Sequence, residues 1–251
     1  MIELTGVVTA VNLLLGTAYV VMGTIALYEL LAGWRDNGFS RFGAGLVAIA
    51  FTCGPHHLIH AVHVGFEGHP VDVLDLLTVL VGLPPGLAWL SLRLEALGGG
   101  RGDRFVAGTP GWLQVLPTAA GAYLALVVVA ALGVVGAGVA VTPVVVLGIA
   151  TAGVYSAIAW VMARTQVRTR AAVGGWSLSG LTLAATFGTC GVMHLALALQ
   201  QLGGARHADV HLVGVDAGAA LAGAYFLSVV RRLTREVLDD WNTVGTRPVP
   251  A

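Results

Sequence analysis

Two short stretches of this 251-residue chain carry a thiol and an imidazole at the same spacing. Thr52-Cys53-Gly54-Pro55-His56-His57-Leu58 and Thr189-Cys190-Gly191-Val192-Met193-His194-Leu195 both read T-C-G-x-x-H-L, and between them they hold both cysteines of the chain. A four-residue separation puts Cys53 and His57 on one helical face, and Cys190 and His194 likewise. His56, His60 and His63 extend the first stretch. At about 100° per residue, Cys53, His56, His57, His60 and His63 fall in a stripe roughly 120° wide. Asp72 and Asp75 follow the first stretch; His207, Asp209, His211 and Asp216 follow the second. Thiolate, imidazole and carboxylate together form a transition-metal ligand set. Thiolate with imidazole in apolar surroundings suits Cu(I), whereas imidazole with carboxylate suits zinc or iron. The aspartates Asp72, Asp75, Asp209 and Asp216 could instead orient a ligating histidine from behind. His57 or His60 with His194 could also supply the two axial ligands of haem b. The plain alternative is a network of hydrogen-bonded histidines lining a water-filled cavity.

The elements that carry these residues must lie in a membrane. Only 10% of the residues are charged, against about 25% in a soluble domain. Mean hydropathy is +0.84. Such a chain cannot clothe a water-facing surface, and it has no basic patch for nucleic acid. All 13 basic residues are arginine, so a retinal or pyridoxal Schiff base is excluded for want of lysine. Apolar runs long enough to cross about 30 Å of hydrocarbon lie at 5–31, 42–65, 73–97, 112–135, 139–163, 175–201 and 210–232. The expectation is therefore an all-α, polytopic membrane protein with seven transmembrane helices in a single transmembrane domain. Twelve of the arginines lie in alternate connections and in the tail; only Arg206 lies in another. The positive-inside rule then places the N-terminus outside, the tail 233–251 in the cytoplasm, and the chain in the cell membrane. The first run has no basic leader and reads as a retained helix, not a cleaved signal peptide.

Duplication is the simplest account of the two T-C-G-x-x-H-L stretches. Each follows an arginine-bearing connection and precedes another helix, and Asp75 and Asp216 stand near the outer ends of those next helices. A three-helix unit would occur twice, as helices 1–3 (residues 1–97) and helices 5–7 (139–232). Residues 98–138 would be a glycine-rich linker plus a fourth helix poor in polar groups. Small residues such as threonine, cysteine and glycine also serve close helix packing in membranes, which accounts for the T-C-G triplets alone. It does not account for a histidine at the same offset twice. On this topology the histidines, cysteines and aspartates converge on the outer half of the bundle.

Glu29-Leu30 followed by Cys53-Gly54-Pro55-His56-His57-Leu58-Ile59 resembles the transmembrane ethylene-binding domain of ethylene receptors. That family carries an E-L element at the end of its first helix and C-G-x-x-H-L-I in its second. The resemblance implies that Cys53 and His57 hold Cu(I), which a small olefin ligates, and Cys190 and His194 match the same core. The family binds copper in a dimer of three-helix units, so a fused pair would be a natural variant. The second half has no E-L element, and His56, His60 and His63 are additional. A second likeness is to the seven-helix zinc hydrolases of the ceramidase and adiponectin-receptor superfamily. There Thr52-x-x-x-His56, Asp72 or Asp75, and His207-x-x-x-His211 occupy similar places. That likeness implies zinc on His56, His207 and His211, with an aspartate positioning the attacking water.

Three functional classes follow. The first is a membrane metalloprotein, copper-preferring, for copper-dependent small-ligand binding or copper handling. The second is a metalloenzyme, either a zinc-dependent hydrolase of lipid amides or esters or a di-metal oxidase. The third is a b-type cytochrome. The partners expected are the lipid bilayer and a small-molecule ligand or lipid substrate, with oligomeric state left open.

Overall fold

The computed structural model of the chain describes residues 3–108, 110–137, 141–204, 212–235 and 241–242. It is predominantly helical, with α1 Leu4–Asn37, α2 Arg41–Gly65, α3 Val73–Leu97, α4 Gly111–Gly136, α5 Pro143–Val173, α6 Leu178–Leu202 and α7 Leu212–Leu233. All seven are long and apolar enough to cross a membrane, as the apolar runs predict. Two helices outrun their apolar cores. α1 continues to Asn37 and α5 to Val173; in α5 the added residues 164–173 include three arginines and two alanines, which are good helix formers. Each stops at a glycine with positive φ, Gly38 (78°) and Gly174 (77°), a backbone conformation other residues rarely adopt.

Side-chain caps set the starts of the helices that carry the two cysteines. The Ser40 hydroxyl accepts from the Gly43 amide at 2.8 Å to open α2, and the Ser177 hydroxyl accepts from the Gly180 amide at 2.9 Å to open α6. Ser40 stands as far before Cys53 as Ser177 does before Cys190.

Packing falls into matched pairs. α1 packs on α2 and α3, while α5 packs on α6 and α7; α2 crosses to α7, and α3 to α6. Small residues let the closest pairs approach. A Cβ on Gly54 would meet Val20 Cγ2 at 2.8 Å and the Gly16 carbonyl at 3.1 Å, so α1 and α2 touch backbone to backbone. Gly148 faces the His194 carbonyl, and Gly191 faces the Ala152 carbonyl, across the α5–α6 seam. α4 packs chiefly against α5 and buries only Leu113 and Val127.

Four two-residue strands tie the connections at one end. β1 (Phe39–Ser40) pairs antiparallel with β4 (Trp241–Asn242), and β2 (Phe105–Val106) with β3 (Trp176–Ser177). The Asp103 carboxylate accepts from the Ser177 hydroxyl at 2.6 Å and from the Ser179 amide at 2.8 Å, and the Trp176 indole donates to the Gly108 carbonyl. The glycine-rich stretch after α3 is thus bonded to the α5–α6 connection. This end carries Arg41, Arg93, Arg101, Arg104 and Arg170, and is called the arginine end below.

Candidate metal centre

The centre lies where α2, α6 and α7 meet. His56 of α2, His194 of α6 and Asp216 of α7 each offer a ligand atom, and these atoms lie within 4.8 Å of one another. All three side chains are buried, at 1%, 2% and 3% exposure. His56 Nδ1–H donates to Asp216 Oδ1 at 2.9 Å. His194 Nδ1 stands 3.7 Å from the same oxygen, and the two rings are 4.7 Å apart. A buried carboxylate is costly unless a cation or strong donors face it. The partners of Asp216 among the described residues are these two imidazoles and no arginine. Two imidazoles and a carboxylate so close together are a donor set that could hold a metal ion. The hydrogen bond to Asp216 also sets the His56 tautomer. With Nδ1 protonated, Nε2 carries the lone pair, and that atom is buried without a hydrogen-bond partner.

A second imidazole is held the same way from the other side. Asn12 of α1 is fully buried and donates through Nδ2 to the Val8 carbonyl at 2.9 Å. A carbonyl can only accept, so this bond fixes which way the Asn12 amide points, and Oδ1 faces His57. His57 Nδ1–H donates to that oxygen at 2.8 Å. His57 Nε2 is then the lone-pair nitrogen, and it too is buried and without a partner. The His56 and His57 rings are 6.0 Å apart. A carboxylate or amide oxygen behind Nδ1, with Nε2 left open, is how proteins hold ligating histidines.

One helical turn toward the arginine end lies a thiol pair. Cys53 and Cys190 are both free, both buried and close enough to interact through their side chains. Each is met by a tyrosine from the opposite half of the chain: the Tyr155 hydroxyl lies 3.0 Å from Cys53 Sγ, and the Tyr19 hydroxyl 3.4 Å from Cys190 Sγ. The same two rings pack edge-on against the histidines, Tyr19 on His57 at 5.5 Å and Tyr155 on His194 at 5.9 Å. The tyrosines therefore couple thiols and imidazoles into one buried cluster.

The remaining residues singled out in the sequence occupy other places. His60 and His63 are buried on the α2 stripe, so all five residues of the stripe face inward. His63 Nε2 is 3.9 Å from the Glu67 carboxylate, which is 3.5 Å from His69 at the surface. Asp72 and Asp75 form the capping box of α3, with Asp72 accepting from the Leu74 and Asp75 amides and Asp75 accepting from the Asp72 amide. The other Asp72 oxygen accepts from Gln200 Nε2 at 2.9 Å. Glu29 lies 3.6 Å from Arg93. His207, Asp209 and His211 lie outside the described residues. Asn12, Tyr19 and Tyr155 were not among the residues the motif singled out. Asn12 is the lone amide in the first apolar run, and a polar side chain in a span needs a partner; that rule alone could have found it. No protein-family model, curated protein or solved structure matches the chain.

Proposed function

We propose that this chain is an integral membrane metalloprotein that holds copper on His56, His57 and His194, for copper-dependent ligand binding or copper handling. The observation that carries the reading is the pair of buried, unpartnered Nε2 atoms on His56 and His57, each with its Nδ1 anchored from behind. Asp216 balances the charge of the ion. The thiols of Cys53 and Cys190, one turn away, favour a soft ion over a hard one. The near-complete burial of the cluster suits an ion that meets small ligands, and it disfavours a site that must admit a lipid ester.

The same reading includes a duplicated three-helix unit, α1–α3 and α5–α7, around α4. Its support is the matched packing pairs, the twin serine caps, and the crossed tyrosine–cysteine contacts. It also takes the arginine end as cytoplasmic, on the positive-inside rule, so that the centre lies in the outer half of the cell membrane.

Elemental analysis of protein purified from copper-replete cells tests the copper reading. One copper per chain, lost in His56→Ala with His194→Ala, is expected. Protein that carries no copper would falsify it. A zinc hydrolase is the second reading, favoured by the imidazole–carboxylate make-up of the tightest cluster. Stoichiometric zinc that falls in His211→Ala would establish it in place of copper. A haem spectrum from the same preparation would replace both with a b-type cytochrome.

A further inference from the structure

The buried centre is connected in both directions, and the connections differ in chemistry. Toward the end opposite the arginines, α2 continues the ligands. His57, His60 and His63 follow at three-residue steps, about 4.5 Å of rise each, all buried. His63 then faces Glu67, which faces the surface residue His69. Toward the arginine end, the thiol pair lines a small cavity of about 20 Å³ with Tyr19 and Tyr155, enough room for one water-sized particle. A second cavity of about 210 Å³ follows, lined by the Glu29–Arg93 pair and Ser40. Leu46, Ala50 and Trp89 line both cavities, so one apolar layer separates them.

We propose that this file is a transmembrane path for a soft monovalent cation, with the copper centre as its midpoint. The inference rests on the metal reading above and adds translocation to it. From the outer end the stations are Glu67 with His63 and His69, then His60, then the imidazole cluster, then the thiols, then the Leu46–Ala50–Trp89 layer, then the cavity at Glu29. The order of donors is what an ion leaving water requires. Carboxylate and exposed imidazole come first, buried imidazoles next, and thiols last, before the dry layer. Charge explains the choice of ion. Cu⁺ passing from an imidazole to a cysteine displaces the thiol proton onto the nitrogen it leaves, His–Cu⁺ + RSH → HisH⁺ + RS–Cu, and the copper–sulfur product is neutral. A neutral complex can approach an apolar layer that would strongly oppose a divalent ion. The tyrosine hydroxyl beside each sulfur donates to the thiolate and steadies it. Passing the ion from one sulfur to the other moves a proton in the opposite direction, so the thiol pair stays singly charged at most.

The test uses the full chain in liposomes, with Ag⁺ as a redox-inert probe and Cu⁺ kept reduced by ascorbate. External metal is stripped with a chelator, and internal metal is measured by elemental analysis. Saturable uptake well above protein-free liposomes is expected. Cys53→Ser with Cys190→Ser should cut uptake about tenfold or more while copper on the histidines persists. Trp89→Ala, which thins the layer, should raise uptake severalfold, and it carries the test if the double variant does not fold. Bound copper without uptake, or uptake unchanged in the cysteine variant, overturns the path and leaves the metal reading standing. Protein that binds no copper at all overturns the metal reading itself, and the path with it.

Discussion

Replacing Asn12 by leucine isolates the role of one buried amide. The side chains are close in size, so no large cavity opens. Two bonds are lost, from Asn12 Nδ2 to the Val8 carbonyl and from His57 Nδ1–H to Asn12 Oδ1. A buried N–H left without an acceptor costs about 1–3 kcal/mol. The His57 ring can avoid that cost by turning or changing tautomer, and either move takes Nε2 out of position. Loss of the group behind a ligating histidine typically weakens metal binding about 10–100-fold, which is about 1.4–2.7 kcal/mol. Asn12→Leu should therefore bind copper about 10–100-fold more weakly than the parent, with one imidazole fewer in the X-ray absorption spectrum. Asn12→Asp keeps the acceptor and should bind as tightly or more tightly. Competition titration with a chelator of known affinity measures both variants, and circular dichroism checks that the helices persist. If Asn12→Leu binds within about threefold of the parent, a difference of well under 1 kcal/mol, and the imidazole number is unchanged, then His57 is not a ligand and the reasoning from its tautomer is wrong.

Asp216→Asn keeps the shape but removes the carboxylate of the cluster, and copper affinity by the same titration should fall about tenfold or more. Asp72→Ala removes the cap of α3 and should lower stability by about 0.5–2 kcal/mol, seen as a lower melting temperature, with metal content unchanged. Gly54→Ala forces a methyl to 2.8 Å from Val20 Cγ2 and 3.1 Å from the Gly16 carbonyl, and should cost about 1–3 kcal/mol in the same melt. Stripping the metal should also lower the melting temperature, because an ion at a hundred times its Kd stabilises the folded state by about 2.7 kcal/mol; a melt that ignores chelation would place the ion outside the bundle.

Different parts of the molecule were legible to different degrees. The seven spans could be read because an apolar run of that length has few other fates. The inward face of α2 could be read because five polar side chains on one stripe must turn away from lipid, and all five do. The pairing inside the cluster could not. T-C-G-x-x-H-L couples Cys53 with His57 along one helix, yet the contacts run between helices: His56 to α7, His57 to α1, Cys53 to α5 and Cys190 to α1. Spacing along a helix gives a shared face and says nothing of what stands opposite. Asp75 and Asp216 show the limit from the other side. Both are buried aspartates early in the helix that follows a histidine-bearing one, but Asp75 serves its own helix start while Asp216 faces two imidazoles. The difference lies in Asp72, whose carboxylate caps α3 and draws Asp75 into a reciprocal bond.

α4 buries almost nothing and touches little but α5, and its importance is one of parity. Each crossing of a bilayer reverses the chain. With α3, α4 and α5 between them, α2 and α6 run in the same direction. Without α4 they would run oppositely, and one cysteine–histidine pair would lie at the depth of the other's mirror image, in the far leaflet. An internal two-fold axis would then lie in the plane of the membrane, and the two pairs would form two separate half-sites. On the duplication proposed above, this one helix would turn that axis upright and bring His57 and His194, and Cys53 and Cys190, to common depths. Deleting it should therefore destroy the centre even though none of its side chains belongs to it.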